Sequence, residues 1–207
     1  MHMIPPHIHR DFFNRDTVTV ARALLGQLLV RNHPDTKEPI AGIIVETEAY
    51  LGVRDKAAHT YNYHRTDRVR TMWGLPGHAY VYFTYGLHHC VNCTTMPEST
   101  PQAVLIRALQ PTHNLPFIHS MRPKAKSATN LCSGPAKLTQ ALDIARALDG
   151  ADLCSDQSPL YIAQVRKRSH STSKITASPR IGVNYAQEWA KKPLRFHLTG
   201  NLHVSRQ

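Results

Sequence analysis

Residues 40–50 read Ile40-Ala41-Gly42-Ile43-Ile44-Val45-Glu46-Thr47-Glu48-Ala49-Tyr50, and this stretch decides the fold. It is long, β-branched and unbroken by proline, which is the composition of a strand. Period-two alternation puts Ile43, Val45, Thr47 and Ala49 on one face and Ile44, Glu46, Glu48 and Tyr50 on the other. Upstream, a proline-containing loop (32–39) separates it from a second strand at 27–31. Before that strand, Asp16 can cap a helix over 17–25, with Val20, Ala21, Leu24 and Leu25 on one side and Gly26 as its stop.

Downstream, an irregular basic stretch (54–72) leads to a β-prone run at 80–85. Gly86 is a turn and 87–94 the returning arm of a hairpin. A short apolar strand is expected at 103–109, interrupted only by Arg107. Residues 111–130, with Arg122, Lys124 and Lys126, read as an exposed loop, and Pro135 opens a helix over 134–142. Final strands are expected at 180–183 and 194–198, flanking a helical segment around Trp189. Strands neighbour strands more often than they alternate with helices, so the class is α+β with an antiparallel sheet.

The 207 residues suit one medium domain with a self-sufficient core. No apolar run reaches the roughly 18 residues of a spanning helix, and the start MHMIPPHIHR lacks a signal peptide's apolar stretch. A cytoplasmic protein without membrane contact is expected, associated with the nucleoid if bacterial. The formal charge of +11 is uneven: residues 1–119 carry 11 basic and 9 acidic groups (+2), residues 120–207 carry 14 and 5 (+9). Such a pool fits a polyanion, nucleic acid first and an acidic membrane surface second; a merely soluble basic protein is the plain alternative. Four cysteines without a secretory signal read as reduced thiols. Cys90 and Cys93 form a CxxC beside His88 and His89, yet no second ligand pair exists and residues i and i+3 of a strand face opposite ways, so buried thiols are expected rather than zinc.

Two carboxylates, Glu46 and Glu48, on one strand face are either ordinary solvated side chains or part of a functional face. A further polar set favours function: His59, Tyr80, Tyr82, Tyr85, Asn92 and Arg107. Tyr80 and Tyr82 share a strand face, and Tyr85 beside Gly86 stands at a hairpin tip, where an aromatic can stack on or wedge between bases.

Several of these motifs resemble the alkyladenine (3-methyladenine) DNA glycosylase family. They include IVETEAYLG at 44–52 followed by Ala57-Ala58-His59, Pro76-Gly77 through Tyr80-Val81-Tyr82, Tyr85-Gly86 and Cys90-Val91-Asn92. Others are VLIRAL at 104–109, GPAKL at 134–138, RIGV at 180–183, Glu188-Trp189-Ala190 and KPLRF at 192–196. The resemblance covers about residues 11–200 in the family's order. It implies one glycosylase domain (11–203) after a short N-terminal extension (1–10), with a curved, mostly antiparallel sheet, surrounding helices and a protruding β-hairpin.

The resemblance also implies a chemistry: flipping an alkylated or deaminated purine out of duplex DNA and hydrolysing its N-glycosidic bond. Glu48 takes the general base's place, and Tyr50, His59 and Tyr82 line the base pocket. Asn92 crowds the 2-amino group of guanine. Arg107 positions the sugar-phosphate or water, Tyr85 fills the gap in the stack, and Lys137 meets a backbone phosphate. No cofactor is implied. A cationic 3-alkyladenine leaves readily, whereas neutral hypoxanthine needs protonation. No lysine adjoins Glu48, so a monofunctional enzyme without lyase activity is expected. A protein probing one lesion at a time needs no second copy, so a monomer is expected.

The sequence departs from the family at Thr66-Asp67-Arg68-Val69-Arg70, where a Thr-Pro-Arg-Asn-like loop is usual. It also departs at Ser133, here expected to cap a helix, and at Thr139. A non-catalytic nucleic-acid-binding protein of the same fold and a zinc hydrolase using 88–93 are the competing readings.

Overall fold

The computed structural model describes residues 4–84, 86, 88–165 and 174–206. Its strands are β1 (Leu28–Asn32), β2 (Pro39–Tyr50), β3 (Ala79–Thr84), β4 (His88–Thr95), β5 (Gln102–His113), β6 (Leu160–Ala163), β7 (Ile175–Ser178) and β8 (Arg195–Leu198). They form one antiparallel sheet in the order β3-β4-β5-β2-β1-β6, with β8 pairing to β2 and β7 to β8. Among the described residues three α-helices accompany it, α1 (Thr17–Ala23), α2 (Leu115–Met121) and α3 (Pro135–Ala141), with 3₁₀ turns between them. The α+β class follows directly.

β2 is the spine. β5 runs along one edge of it, while the other edge pairs first with β1 (Asn32↔Pro39 to Leu28↔Ile43) and then with β8 (Glu46↔His197 to Glu48↔Arg195). The exchange of partners coincides with an irregularity: the β2–β5 register passes from Ile44↔Leu109 to Glu46↔Ala108 to Thr47↔Ile106. Val45 and Arg107 are the residues passed over. A one-residue slip reverses the faces of a strand. Ile40 and Ile44 therefore enter the main core before the slip, and Ala49 enters it afterwards. Thr47 turns the same way, its Oγ1 donating to the Ala21 carbonyl of α1 at 2.8 Å. Ile44 thus belongs with the core residues and not, as strict alternation predicts, with the glutamates. Gly42 lets β5 come close: a Cβ there would lie 2.9 Å from Leu109 Cβ.

Val20, Ala21 and Leu24 of α1 and its C-terminal turn, Ile118 of α2 and Leu138 and Ala141 of α3 join Ile44, Ile106 and Leu109 in that core. Each buried branched side chain contributes roughly 1.5–3 kcal/mol. Asp16 caps α1 through Thr19 N at 2.9 Å, as the sequence predicts. The N-terminal residues run against β6, with Ile8 N donating to Ile162 O at 2.8 Å and Ile8 buried.

Four local expectations are corrected. Residues 115–121 are helical, because Asn114 caps them through Phe117 N and Ile118 anchors them in the core; one turn of apolar residues is too short to show a period. β6 and β7, four residues each, have no counterpart in the sequence reading. Residues 180–183 form a bend rather than a strand, since Gly182 takes φ +79° and Arg180 turns inward. Ser133 is not the cap of α3: Gly134 occupies that position, and Ser133 Oγ instead accepts from Lys137 Nζ at 3.4 Å.

Candidate active site

A cavity of about 240 Å³ opens between the end of β2, the β3–β4 pair, the middle of β5 and the start of α3. Tyr50, His59, Tyr82, Asn92 and Arg107 all line it. They come from four strands and the loop after β2, and the sheet brings them to one place. Glu48 lies behind this wall, its side chain fully buried. Its Oε2 accepts from Tyr50 Oη at 2.9 Å and faces Arg107 Nη1 at 3.2 Å, and its Oε1 accepts from Ile181 N at 2.8 Å. Every partner presents a hydrogen to the carboxylate. The solvated-face reading of the two glutamates fails, because Glu46 is equally buried.

Glu46 is the anchor of the arrangement. Its Oε1 accepts from Arg107 Nε at 3.1 Å, Arg195 Nε at 2.7 Å and Ser205 Oγ at 2.9 Å, and its Oε2 from Ser205 N at 2.6 Å. Burial alone would raise its pKa, but Ser205, Arg107 and Arg195 together hold it below the ordinary value. Burial opposes the charge on Arg107 too, yet Glu48 and Glu46 outweigh that and raise its pKa. Tyr50 is pushed well above its ordinary value by burial and by the Glu48 charge, so it stays a phenol that donates.

The aromatic wall is interlocked. His59 Nδ1 is 2.8 Å from Tyr80 Oη, its ring meets Tyr82 edge-on at 4.6 Å between centroids, and Tyr80 and Tyr82 lie tilted at 5.2 Å. Burial, with Arg68 and His64 nearby, lowers the His59 pKa to about 4, so the ring is neutral at pH 7. Burial also raises Tyr80 and Tyr82, keeping both phenolic. Asn92 is held by its Nδ2 donating to the Tyr80 carbonyl at 3.0 Å. Cys90 lines the cavity while Cys93 faces the main core, as the strand period predicts.

Lys137 does not line the cavity, although its neighbours Pro135 and Ala136 do. Tyr85 lies outside the described residues, as do Arg166, Lys167 and Arg168 of the basic half. Two cations of the basic half are not available to a polyanion: Arg180 and Arg195 are buried in ion pairs with Asp55 and Glu46. Conversely, two arginines of the nearly neutral half lie over aromatic rings, Arg65 over Trp73 at 5.0 Å and Arg68 over the pocket-lining Tyr82 at 5.5 Å.

Sequence reasoning missed the pair behind Tyr50. Arg180 donates to both Asp55 oxygens at 2.6 and 2.8 Å, and its guanidinium lies 4.7 Å from the Tyr50 ring centroid. Asp55 also accepts from Leu51 N and Ala57 N. The next peptide, Ile181, supplies the N–H on Glu48. The only signal was the match at RIGV, which names no role.

Residues 11–202 match the family described as Methylpurine-DNA glycosylase. A relative from Bacillus cereus, provisionally named 3-methyladenine DNA glycosylase, is 47% identical over 204 residues, spanning 95% of this chain and 98% of its own. One from Methanocella arvoryzae, with the same provisional name, is 46% identical over 202 residues, spanning 98% and 97%. Similarity of this extent, together with a pocket of interlocked aromatics backed by a buried glutamate, shows that the chain belongs to the methylpurine-DNA glycosylase family.

Proposed function

We propose that this protein is a monofunctional base-excision repair enzyme that flips alkylated or deaminated purines out of duplex DNA and hydrolyses their N-glycosidic bond, leaving an abasic site. The observation that carries the reading is Glu48, a buried carboxylate set at the wall of an aromatic pocket and surrounded by donors. A carboxylate oxygen has two lone pairs. Oε1 accepts one hydrogen bond, from Ile181 N, and its other lone pair can take the proton of a water. That water's oxygen attacks C1′ of the deoxyribose, the C1′–N bond breaks, and its electron pair departs with the base. The Glu48 charge also stabilises the cationic sugar that develops.

Tyr50, His59 and Tyr82 embrace the base. A cationic 3-alkyladenine gains about 0.5–2 kcal/mol from an aromatic face and leaves as a neutral molecule. Hypoxanthine and ethenoadenine fit the same aromatic pocket but are neutral, and hence leave less readily. Neutral His59 can hydrogen-bond the substrate near the reacting centre. Asn92, pinned by its own amide, stands where a 2-amino group would crowd it. Arg107 fixes Glu48 and faces the sugar side, Tyr85 fills the vacated stack, and Lys137 reaches a phosphate at the mouth. Among the described residues no lysine lines the cavity, which supports direct hydrolysis over a Schiff-base route.

The test is base release from a panel of duplexes, each with one modified purine. Glu48→Gln should lose about 10²–10⁴-fold in single-turnover rate while still binding the damaged duplex. Equal release by wild type and variant would sink the mechanism, and a borohydride-trapped enzyme–DNA adduct would replace it with a lyase.

A further inference from the structure

We propose that Glu46 is a positioning residue for the reaction, and that the C-terminal segment Asn201–Arg206 is the strap that completes it. The proposal rests on the glycosylase reading of Glu48 and concerns a glutamate that the mechanism leaves unused.

The geometry is a chain of alternating charge. Arg195 and Arg107 both point their Nε at Glu46 Oε1, and Arg107 then extends Nη1 to Glu48 Oε2. Holding a guanidinium by its Nε edge fixes the plane of the fork, and with it the direction of Nη1. Glu46 therefore decides where Arg107 meets Glu48. The same irregularity that flips β2 makes this possible, because Val45 and Arg107 are the residues passed over in the β2–β5 register.

The strap covers that irregularity from outside. Val204 packs on Val45 and Ala108, and Asn201 Nδ2 donates to Gln110 Oε1 at 3.1 Å. Ser205 then places two donors on Glu46, and the Arg206 carbonyl accepts from Arg195 Nη2. Two buried carboxylates against two buried guanidiniums need these added donors, since a buried charge is tolerated only when its remaining lone pairs are filled. Without the strap, water reaches Glu46 and the grip on Arg107 loosens.

The test uses the full chain with three variants: Glu46→Gln, truncation after His203, and Ser205→Ala, which deletes a single hydrogen bond and leaves the packing intact. Three readouts apply: the single-turnover release rate, affinity for the damaged duplex, and the Arg Nε–H resonances in ¹⁵N NMR. Truncation and Glu46→Gln should each lower the rate by about ten-fold or more, the value of one charge-assisted hydrogen bond, with affinity within two-fold of wild type. Ser205→Ala should lower it several-fold. The protected Nε–H signals of Arg107 and Arg195 should weaken in all three.

The split between rate and affinity separates positioning from mere folding. Removing the Glu46 charge frees the Nε edge of Arg107, so Glu46→Gln should lower the release step and the Arg107 Nε–H signal while the damaged duplex still binds. Wild-type rates in the truncated and Glu46→Gln proteins would overturn the proposal. So would rate losses matched by equal losses of affinity and melting temperature with the Arg107 Nε–H signal unchanged. A wild type that releases no base would overturn the glycosylase reading instead, and the Nε–H signals would still report whether the strap holds Arg107.

Discussion

Replacing Asp55 or Arg180 singly should be among the most damaging changes the fold can suffer outside its apolar core. Both side chains are fully buried. Asp55 receives four hydrogens: two from Arg180 at 2.6 and 2.8 Å, and the Leu51 and Ala57 amides at 2.9 and 3.0 Å. Asp55→Ala leaves a guanidinium in the interior with only the Ala49 and Trp189 carbonyls as hydrogen-bond partners. Arg180→Met leaves a carboxylate with two backbone donors. Breaking a buried pair from either side costs about 3–5 kcal/mol. In a chain of this size that corresponds to a fall in melting temperature of roughly 6–20 °C.

The double variant should cost no more than either single change, because neither charge is then left alone. Equilibrium urea unfolding of the four proteins closes the cycle. Single costs under about 1 kcal/mol, or costs that simply add, would refute the reasoning. They would mean that water already reaches the pair, in which case Arg180 could not rigidly back the Tyr50 wall.

Two more outcomes follow from the same geometry. His59 has its pKa lowered to about 4 in the fold, whereas an unfolded histidine titrates near 6.5. Below pH 6.5 the unfolded chain takes a proton that the folded chain refuses, so stability is complete above that pH and is lost as pH falls from 6.5 towards 4. Unfolding of wild type and His59→Gln across that window should show wild type losing ground, and an NMR titration giving His59 a pKa near 6.5 would refute it. Gly42→Ala should destabilise by about 1–3 kcal/mol through overpacking, since its Cβ would sit 2.9 Å from Leu109 Cβ and 3.0 Å from Gln110 O. A neutral result in thermal unfolding would mean that β5 does not approach β2 as closely as described.

How much of this was legible in the sequence depends on the distance over which each signal acts. The spine strand, the cap at Asp16, the opposite facing of Cys90 and Cys93, and the shared face of Tyr80 and Tyr82 are local consequences of period and residue type, and all appear as read. The reversal between Ile44 and Thr47 could not be read, because it is set by pairing with β5: only when Ala108 stands opposite Glu46 do Val45 and Arg107 fall out of register. The site divides the same way. Tyr50, His59, Tyr82, Asn92 and Arg107 were legible through motifs, and the cavity gathers them.

What holds them was invisible, because its partners lie far apart in the chain. Arg180 reaches Asp55 across 125 residues, Ile181 reaches Glu48 across 133 and Ser205 reaches Glu46 across 159. Charge counting also misled at this point. Arg180 and Arg195 raise the basic total of the second half, yet each neutralises a buried carboxylate of the first half. Each pair cancels, so the +11 balance is untouched and lies entirely on charges outside this internal scaffolding of the pocket. Whatever draws this protein to a polyanion must come from the remaining charges, including Arg68, which lies over the pocket-lining Tyr82.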